Sequence, residues 1–360
     1  MTQRERELLN WIAENPLISQ QELADRAGIT RSSVAVHISN LMKKGYIAGK
    51  GYVLRSASYA AVVGGVNMDI GGRSAAPLVA ADSNPGTVRM SLGGVGRNIA
   101  HNLALLGVDA RMLTAFGDDL YAQKIAASCG ELGIDISQSL QVPGGSTSTY
   151  LFIADEDGDM AVAVSDMDIY DHITPVWLAS RQSLLDNAQV IVFDTNIPAE
   201  SIQWLAEHAK VPLFADPVST AKAVKLCAPL GKLHTIKPNR MEAELLSGVA
   251  ITDEASLNRA ADKLLETGLR RVFISMGGEG MFAADHNGRV HVPCYPGSMV
   301  NTTGCGDAAM AAVAWAYLEG TDLEGTARAA MAAGAIAMES AETINPVMSA
   351  EALRARMALS

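Results

Sequence analysis

From about Tyr59 onward, short apolar runs alternate with amphipathic segments, and this alternation limits the fold more strongly than any other feature of the sequence. A strand that is apolar along its whole length needs cover on both faces, and the helices that connect parallel strands provide it. Predicted strands span residues 59–66, 110–116, 190–194, 213–215, 235–237 and 271–275. Predicted helices span residues 97–106, 120–132, 201–208, 240–246 and 255–267. The alternation predicts an α/β domain over residues 59–360, with a mostly parallel sheet between helices.

Two stretches, residues 71–91 and 146–165, interrupt this alternation. In the second stretch, two short apolar runs flank Asp157 and Gly158, a residue pair that favours the tight turn of a β-hairpin. A hairpin does not continue a parallel sheet. We therefore expect both stretches to form a small antiparallel β lid that stands off the main sheet.

The first 57 residues are basic, although the whole chain is acidic. They contain eight Lys and Arg residues against five Asp and Glu residues, a balance of +3, while the whole chain carries a net charge of −11. A basic head on an acidic body restricts any interaction with nucleic acid to the N-terminal region.

Residues 1–55 are predicted to form three helices followed by a hairpin. Ser19 and Glu22 have the spacing of a capping box at the start of the second helix. On the third helix, Val34, Ile38 and Leu41 recur at the spacing of one buried face.

The other face of the third helix carries Arg31, Ser32 and Ser39, small or basic side chains that suit a recognition helix in a DNA major groove. Residues 46–54 are predicted to form two short strands, a "wing" with Lys50 at its turn. The segment resembles the winged helix-turn-helix of bacterial transcription regulators, which implies DNA binding. The alternative is a small helical domain for interaction or dimerisation.

A glycine-rich turn at residues 300–306 leads directly into a helix of small residues. Gly304 and Gly306 allow the backbone N–H groups around Cys305 to converge at the helix N-terminus, where the helix dipole favours negative charge. Such a cradle can stabilise a phosphoryl group during transfer. Asp307 follows in the first turn, where a carboxylate can accept the proton of an attacking hydroxyl. The alternative is an acid that only stabilises the start of the helix.

The sequence Asn-Thr-Thr-Gly-Cys-Gly-Asp at residues 301–307 resembles the C-terminal signature D-T-x-G-A-G-D of the phosphofructokinase-B/ribokinase family. Further segments match family motifs in the family order, and the resemblance covers roughly residues 59–350. It implies a ribokinase-like fold and a kinase that uses ATP and Mg²⁺ to phosphorylate a sugar or nucleoside.

The same resemblance implies the residues that would hold the sugar. Asn67 and Asp69 resemble the N-x-D pair at the end of the first strand of that fold. Gly93, Gly94 and Asn98 lie in a segment that resembles the first family signature. The alternatives are an Asx turn at the first pair and an ordinary tight glycine turn at the second segment.

On the nucleotide side, Asn239 and Glu242 match the N-x-x-E motif that organises magnesium and phosphate, and Glu242 would be the metal ligand. Ser275, Gly277 and Gly280 resemble the S/T-x-G-x-x-G turn that contacts the nucleotide. The alternative for the first pair is a helix N-cap followed by a solvated acid.

Two residues depart from the family pattern. Asn301 stands where many members have an Asp that helps to bind a monovalent cation, which leaves activation by K⁺ open. Cys305 replaces the usual Ala, and its backbone N–H is retained. A thiol at a helix N-terminus can have a lowered pKa, and thiol reagents would then inactivate the enzyme. The alternative is a silent residue of about the size of Ala.

A narrower likeness concerns the substrate. Residues 81–86, 91–100, 148–150, 164–167, 214–219 and 237–244 resemble bacterial pseudouridine kinases. This likeness implies phosphorylation of the 5′-hydroxyl of pseudouridine, with Thr149 and Asn196 added to the substrate-binding residues. Ser83 and Asp166 would then recognise the uracil from the lid. The alternative for both is turn chemistry within the lid.

Other classes of protein are disfavoured. The longest apolar runs are too short to cross a bilayer, and the charged residues 4–7 do not form a secretion signal. Four scattered cysteines predict reduced thiols in a cytoplasmic protein. The chain lacks G-x-x-x-x-G-K-[ST], which excludes a P-loop kinase, and its glycine pattern disfavours a Rossmann dehydrogenase.

Three alternatives stay open on sequence grounds. The protein is a pseudouridine kinase, another nucleoside or sugar kinase, or a transcription regulator that senses its ligand with a kinase-like domain. Intact Asp307 and Glu242 argue against the last, since a sensor needs neither a base nor a metal ligand. A homodimer is expected, because lids of this kind pair and winged-helix proteins often read two half-sites.

Overall fold

The computed structural model of the protein describes residues 1–44, 46–47 and 58–359. The chain divides into two compact units, Met1–Ala57 and Ser58–Ser360, and each contains a hydrophobic core. Along the described residues, no helix is both long and apolar enough to cross a membrane.

The described part of the N-terminal unit contains three helices: α1 (Gln3–Glu14), α2 (Gln20–Ala27) and α3 (Arg31–Lys43). Each helix begins at a side chain that caps its first turn, because Thr2, Ser19 and Thr30 each accept a hydrogen bond from a backbone N–H three residues later. The predicted capping box between Ser19 and Glu22 is present.

The predicted inner face of α3 is also confirmed, since Val34, Ile38 and Leu41 are all buried. Nζ of Lys44, just after α3, lies 2.7 Å from the carboxylate of Glu5 on α1, and Glu5 is only 1% exposed. This contact ties the first helix to the end of the third. The predicted wing, with Lys50 at its turn, lies outside the described residues except for positions 46 and 47.

The large unit alternates strands and helices. Its strands are β1 (Tyr59–Val63), β2 (Asn67–Ser74), β3 (Gly86–Gly93), β4 (Asp109–Leu113), β5 (Ala115–Phe116), β6 (Leu140–Gln141), β7 (Thr149–Ala154), β8 (Met160–Asp166), β9 (Val190–Asp194), β10 (Leu213–Asp216), β11 (Thr235–Ile236), β12 (Arg271–Ser275), β13 (Met281–Asp285) and β14 (Arg289–Val292). Its helices are α4 (Val95–Leu105), α5 (Leu120–Glu131), α6 (Pro175–Ala179), α7 (Gln182–Asn187), α8 (Ala199–His208), α9 (Thr220–Ala223), α10 (Arg240–Ser247), α11 (Glu254–Glu266), α12 (Cys305–Leu318), α13 (Leu323–Met338) and α14 (Ala350–Met357).

Eight strands form one sheet in the order β14-β13-β12-β11-β10-β9-β1-β4. Neighbouring strands from β12 to β4 run parallel, and only β13 and β14 are antiparallel to their neighbours. One hydrophobic cluster covers each face of this sheet. The mostly parallel sheet between helices is therefore confirmed, and its strands place their carboxyl ends along one edge, where ligands bind in folds of this class.

A second sheet of four strands has the order β3-β2-β7-β8. Its two outer pairs are antiparallel and its central pair, β2 with β7, is parallel. Strand β7 does not follow β3 in a hairpin, since two helices and strand β4 of the main sheet lie between them in the chain. This long connection allows β7 to pair in parallel with β2. This sheet is the predicted lid.

Side chains alternate between the two faces of the lid along each strand. One face, here called the outer lid face, carries five exposed apolar residues whose positions pair across the strands: Val88, Met90, Leu151, Val162 and Val164. The opposite face, here called the inner lid face, carries Asp69, Arg73 and Phe152. It borders a cleft of about 750 Å³ whose other wall includes Thr343.

Candidate functional site

The site is built around the N-terminus of α12. Its N-cap, Gly304, has a φ of 84°, and a Cβ at this position would collide with the carbonyl oxygen of Thr343. Only glycine fits such a turn without strain. No side chain caps the first turn of α12, and the N–H of Cys305 makes only a long hydrogen bond of 3.4 Å, to the carbonyl oxygen of Thr302. A helix N-terminus without a side-chain cap can bind an anion.

Asp307 is half-buried in the first turn of α12, and its Oδ2 accepts a hydrogen bond of 2.8 Å from the side-chain amide of Asn98 on α4. Burial raises the pKa of Asp307 to about 7, and the neighbouring Asp216 carboxylate adds to the rise. The hydrogen bond from Asn98 and the positive charge of Lys237 lower this pKa, but less than burial and Asp216 raise it. A carboxyl group with a pKa near neutrality can act as a general base.

A buried ion pair lies next to this carboxyl group. Nζ of Lys237, just after β11, lies 3.2 Å from Oδ2 of Asp216 at the end of β10, and both side chains are less than 10% exposed. The pKa of Lys237 is raised although burial opposes its charge, because Asp216, Glu242 and Asp307 surround it. Lys237 is therefore a fixed positive charge inside a cluster of carboxylates.

Lys237 also lies beside the anion cradle. A Cβ built on Gly306 would lie 3.7 Å from Nζ of Lys237, with no closer atom. The ammonium group thus reaches the backbone at the start of α12. Neither Lys237 nor Asp216 was among the site residues predicted from sequence, because a charged residue after a strand is indistinguishable from a surface residue until the sheet is assembled.

Asn239 and Glu242 form a reciprocal capping box at the start of α10. The side-chain oxygen of Asn239 accepts from the N–H of Glu242 at 2.9 Å, and Oε2 of Glu242 accepts from the N–H of Asn239 at 2.8 Å. The helix cap proposed as an alternative is thus present, but Glu242 is only 4% exposed rather than solvated. Burial raises its pKa, as does Asp216, while the bond from Asn239 and the charge of Lys237 lower it.

The carboxylates near α12 fit a magnesium ion. Oδ2 of Asp216 is buried, and its nearest charged partner is Nζ of Lys237 at 3.2 Å. Mg²⁺ needs few protein oxygens, because it keeps several waters and binds substrate phosphates. Asp216 and Glu242 can provide them. Among the described residues, no group of three or more His, Cys, Asp or Glu side chains forms a complete metal cage.

Asn67, Asp69 and Gly93 meet where β2 begins and β3 ends. The side-chain amide of Asn67 donates to Oδ1 of Asp69, and Asn67 pairs with Gly93 across the strands. A Cβ at Gly93 would collide with the carboxylate of Asp69. Burial raises the pKa of Asp69 to about 6, although the bond from Asn67 and the charge of Arg97 lower it.

Gly94 is the N-cap of α4, so the glycine turn leads into the helix that carries Asn98. Asn196, two residues after β9, accepts a hydrogen bond of 2.5 Å from Nζ of Lys222. Lys222 was not predicted as a site residue.

The nucleotide-side residues also lie together. Asn239 and Ser275 form a parallel bridge, and the N–H of Ser275 donates to Pro238 at 2.9 Å. Gly277 and Gly280 then form a tight turn between β12 and β13, and both have positive φ angles. These four predicted residues thus follow two adjacent strands at the carboxyl edge of the sheet.

Three predicted residues on the lid are not brought to the same point within one chain. Ser83 is exposed in the connection beyond Ser74, and the seven residue steps along β2 from Asn67 to Ser74 span roughly 23 Å. Thr149 and Asp166 pair with each other and share a face with Met68, opposite to Asp69.

On the N-terminal unit, the predicted DNA-contacting residues that the structure describes are Arg31, Ser32 and Ser39, and all three are exposed on α3. Ser32 and Ser39 point away from the buried Val34 and Ile38, whereas Arg31 is exposed because it lies at the first residue of the helix. A basic residue and two hydroxyls are therefore available on one helix surface.

The expected lowering of the Cys305 pKa is wrong. Burial and the nearby Asp307 carboxylate raise the pKa of this thiol and outweigh the contribution of its position at the helix N-terminus. Cys305 is therefore a weak nucleophile near neutral pH.

Asn301 uses its side chain to stabilise the turn itself, because its oxygen accepts from the N–H of Thr303 at 2.9 Å and its amide donates to Ala341.

Both units of the chain match families of known proteins. The model of the pfkB family carbohydrate kinases matches residues 57–350, and a winged helix-turn-helix DNA-binding model matches residues 1–48. Two Escherichia coli (strain K12) proteins are each 40% identical. YeiI, an uncharacterized sugar kinase, matches over 98% of this chain and 98% of its own, and a pseudouridine kinase matches over 82% and 95%.

Among solved structures, a carbohydrate kinase from Agrobacterium tumefaciens has a TM-score of 0.74 and 27% identity, over 84% of this chain and 97% of its own. The family and the fold that the motifs implied are thereby confirmed. The chain belongs to the pfkB family of carbohydrate kinases and carries a winged helix-turn-helix domain at its N-terminal end.

Proposed function

We propose that this kinase transfers the γ-phosphoryl group of ATP to the 5′-hydroxyl of pseudouridine and releases pseudouridine 5′-phosphate and ADP. The observation that carries the chemistry is the position of Asp307 in the first turn of α12, in contact with Asn98 and close to Lys237. The likeness to the E. coli pseudouridine kinase over most of both chains supports the acceptor.

In the proposed reaction, the 5′-hydroxyl gives its proton to the carboxylate of Asp307 while its oxygen attacks the γ-phosphorus. The bond to the bridging oxygen breaks, and its electron pair leaves with ADP. Charge on the transferring group is stabilised by the N–H groups of Cys305 and Gly306 and by the ammonium of Lys237. These groups are held in place before the reaction, so little reorganisation opposes it.

Kinases of this family use ATP with Mg²⁺, and bound magnesium neutralises charge on the phosphates. We assign the metal to Glu242 and Asp216. The two carboxylates belong to different segments, and Lys237 lies near both of them. Lys237 would keep their mutual repulsion low whether or not the metal is bound.

We assign the other predicted residues to two subsites of this centre. The ribose subsite consists of Asn67, Asp69, Gly93, Gly94, Asn98 and Asn196. The nucleotide subsite consists of Asn239, Ser275, Gly277 and Gly280. Recognition of the base by Ser83 and Asp166, and substrate binding by Thr149, stay predictions, because the three residues do not converge within a single chain.

We propose that residues 1–55 bind DNA and that residues 59–360 form the catalytic domain, with residues 71–91 and 146–165 as its lid. The match to a winged helix-turn-helix model and the exposed Arg31, Ser32 and Ser39 support the first role. A fused head of this kind could tie expression of salvage genes to the nucleoside that the body binds. Four free cysteines support a reducing, cytoplasmic environment.

We further propose a homodimer formed through the outer lid face. Val88, Met90, Val162 and Val164 are between 46% and 71% exposed there, on a sheet whose inner face borders the cleft. A contiguous apolar surface of this kind marks an interaction site. A second copy would cover it without any further partner.

One acceptor screen tests the substrate. The full-length protein is incubated with ATP and Mg²⁺, and ADP release is measured with pseudouridine, uridine, cytidine, ribose and fructose 6-phosphate at equal concentrations. We expect pseudouridine to give the highest kcat/KM. A higher kcat/KM with a plain sugar would overturn the pseudouridine assignment and retain the kinase. If no acceptor causes ADP release, the remaining alternative is a transcription regulator that senses its ligand with a kinase-like domain.

A second candidate is a kinase for another sugar. It is favoured by the match to the sugar kinase YeiI, which extends over 98% of this chain and therefore includes the N-terminal domain, whereas the pseudouridine kinase covers 82%. The same screen separates the two candidates.

A further inference from the structure

Asp194, the last residue of β9, is fully buried and is not among the residues assigned to catalysis. Its carboxylate accepts three backbone N–H hydrogen bonds. Oδ2 accepts from Gly65 at 2.8 Å and from Gly96 at 2.7 Å, and Oδ1 accepts from Asn196 at 2.8 Å. All three donors lie in different segments of the chain.

Each donor belongs to a segment that carries a residue of the ribose subsite. Gly65 precedes Asn67 by two residues, at the connection between β1 and β2. Gly96 lies in the first turn of α4, two residues before Asn98. The third donor is Asn196 itself. One side chain in the middle of the main sheet therefore fixes the spacing of all three segments.

The segments that Asp194 joins approach each other too closely for any side chain to separate them. A Cβ on Gly96 would lie 2.9 Å from Cα of Gly64, and a Cβ on Gly64 would lie 2.7 Å from Cγ of Asp194. The two glycine segments are thus in direct backbone contact, with the carboxylate of Asp194 between their N–H groups. A small shift of the carboxylate would be transmitted to both.

The geometry requires an acceptor at both oxygens. An amide in place of the carboxylate could keep its oxygen near Gly65 and Gly96, but its NH₂ group would then face the N–H of Asn196. Burial raises the pKa of Asp194, and the backbone N–H bonds from Gly65 and Asn196 oppose this rise by stabilising the charged form. Aspartate is therefore the residue type that satisfies all three donors.

We propose that Asp194 is a positioning residue for the acceptor subsite, which holds the segments of Asn67, Asn98 and Asn196 at the spacing that a ribose ring requires. This role rests on the proposed kinase function. It concerns the sugar side only, because none of the three donors belongs to the nucleotide-side segments after β11 and β12. Asp194 itself does not touch the reacting atoms.

The test compares Asp194→Asn with wild type and with the matched control Asp285→Asn. Asp285 also accepts backbone N–H bonds, from Asn287 and Gly288. It lies in the turn between β13 and β14, which form one end of the sheet, four strands away from β9. We expect Asp194→Asn to raise KM for the acceptor by about 10- to 100-fold, the effect of losing a hydrogen bond to a charged group. KM for ATP should change by less than twofold, and the control should change neither constant.

Equal changes in both KM values, or an unchanged acceptor KM, would overturn the proposal. If Asp194→Asn does not fold, Gly96→Ala gives the answer, since it separates the same two segments while Asp194 stays in place. In Gly96→Ala, KM for the acceptor should again rise while KM for ATP stays the same. An unchanged KM for the acceptor would reject the role of Asp194. The best acceptor found for the wild type is used, so the proposal survives a change of substrate. A wild type that phosphorylates no acceptor refutes the proposed function instead.

Discussion

The side-chain amide of Asn98 donates to Oδ2 of Asp307 at 2.8 Å, although the two residues lie 209 positions apart in the chain. The contact joins the start of α4, which follows the lid, to the start of α12, which forms the anion cradle. The residue proposed to hold the ribose therefore also orients the proposed base. In the proposed reaction, alignment of the hydroxyl with the carboxylate would then depend on occupancy of the sugar subsite.

Replacement of Asp307 tests its role as the base. Asp307→Asn keeps the size of the side chain and can keep the contact with Asn98, but it removes the proton acceptor. We expect kcat to fall by about 100- to 10,000-fold, with little change in acceptor binding measured by calorimetry. Glu319→Gln, at the C-terminal end of α12, serves as the control and should retain kcat. A turnover number within threefold of wild type in Asp307→Asn would reject the assignment.

The pH dependence of catalysis follows from the raised pKa of Asp307. The base must be deprotonated, and the pKa of the enzyme before the acceptor binds governs kcat/KM, so kcat/KM for the acceptor should increase with pH through about 7 and level off above it. Measurement of kcat/KM for the acceptor from pH 5 to 9 checks this limb. A flat profile between pH 6 and 8 would contradict it.

Stability should have the opposite pH dependence. The pKa of Asp307 is higher in the folded protein than its ordinary value of 3.8, so its contribution is most favourable below pH 4 and is lost as pH rises through about 7. Asp307→Asn should therefore raise Tm relative to wild type at pH 8, and the difference should vanish near pH 4. Scanning calorimetry measures both Tm values at pH 4 and pH 8. An equal Tm difference at the two pH values would be inconsistent with a carboxyl group that titrates near pH 7 in the folded protein.

The Lys237–Asp216 pair should contribute to the stability of the fold and, independently, to the pKa of the proposed base. Lys237→Met leaves a buried carboxylate unpaired, and we expect it to lower the free energy of unfolding by about 3–5 kcal/mol. It should also raise the pKa of Asp307, since Lys237 lowers that pKa in the wild type. Denaturant unfolding and the pH profile of kcat/KM measure the two effects.

The double variant Lys237→Met with Asp216→Asn separates those effects. Removing both charges should recover most of the lost stability, as is usual when a buried pair is replaced as a unit. Turnover should stay low, because both the cation beside the cradle and the proposed metal ligand Asp216 are absent. Recovery of kcat together with stability would show that Lys237 has only a structural role.

The outer lid face should control the oligomeric state. A charged side chain in the centre of an apolar interface costs more than the interface gains, so Val162→Asp should convert a dimer into a monomer. Sedimentation of wild type and variant at equal concentration tests this. Glu156→Ala, in the turn between β7 and β8, is the matched control. A wild type that sediments at the monomer mass would reject the proposed interface.

DNA binding by the N-terminal domain should depend on Arg31. Binding of the full-length protein to a 30-base-pair duplex of random sequence should weaken with salt, because phosphate contacts release counterions. Arg31→Ala should reduce the slope of log K against log salt by about one. Ser39→Ala should leave the slope unchanged. Equal slopes for wild type and Arg31→Ala would remove Arg31 from the interface.

Local patterns were sufficient for much of the fold. The predicted strands 190–194 and 271–275 coincide with β9 and β12, and the capping pairs Ser19–Glu22 and Asn239–Glu242 are both present. Helix α13 was missed although it has 16 residues. It is rich in alanine and buried on nearly every side, so it has no polar face to produce a helical period.

The sequence by itself determined the α/β architecture, the glycine cradle and the acid beside it, because each depends on residues close together in the chain. Only the tertiary structure decided the electrostatics of the site. Lys237, Asp216 and Asp194 each lie at the carboxyl end of a different strand, and parallel packing of those strands brings their charges within reach of α12. The pKa of Asp307 is a property of that assembled cluster, since burial and neighbouring charges exist only after the distant segments have packed.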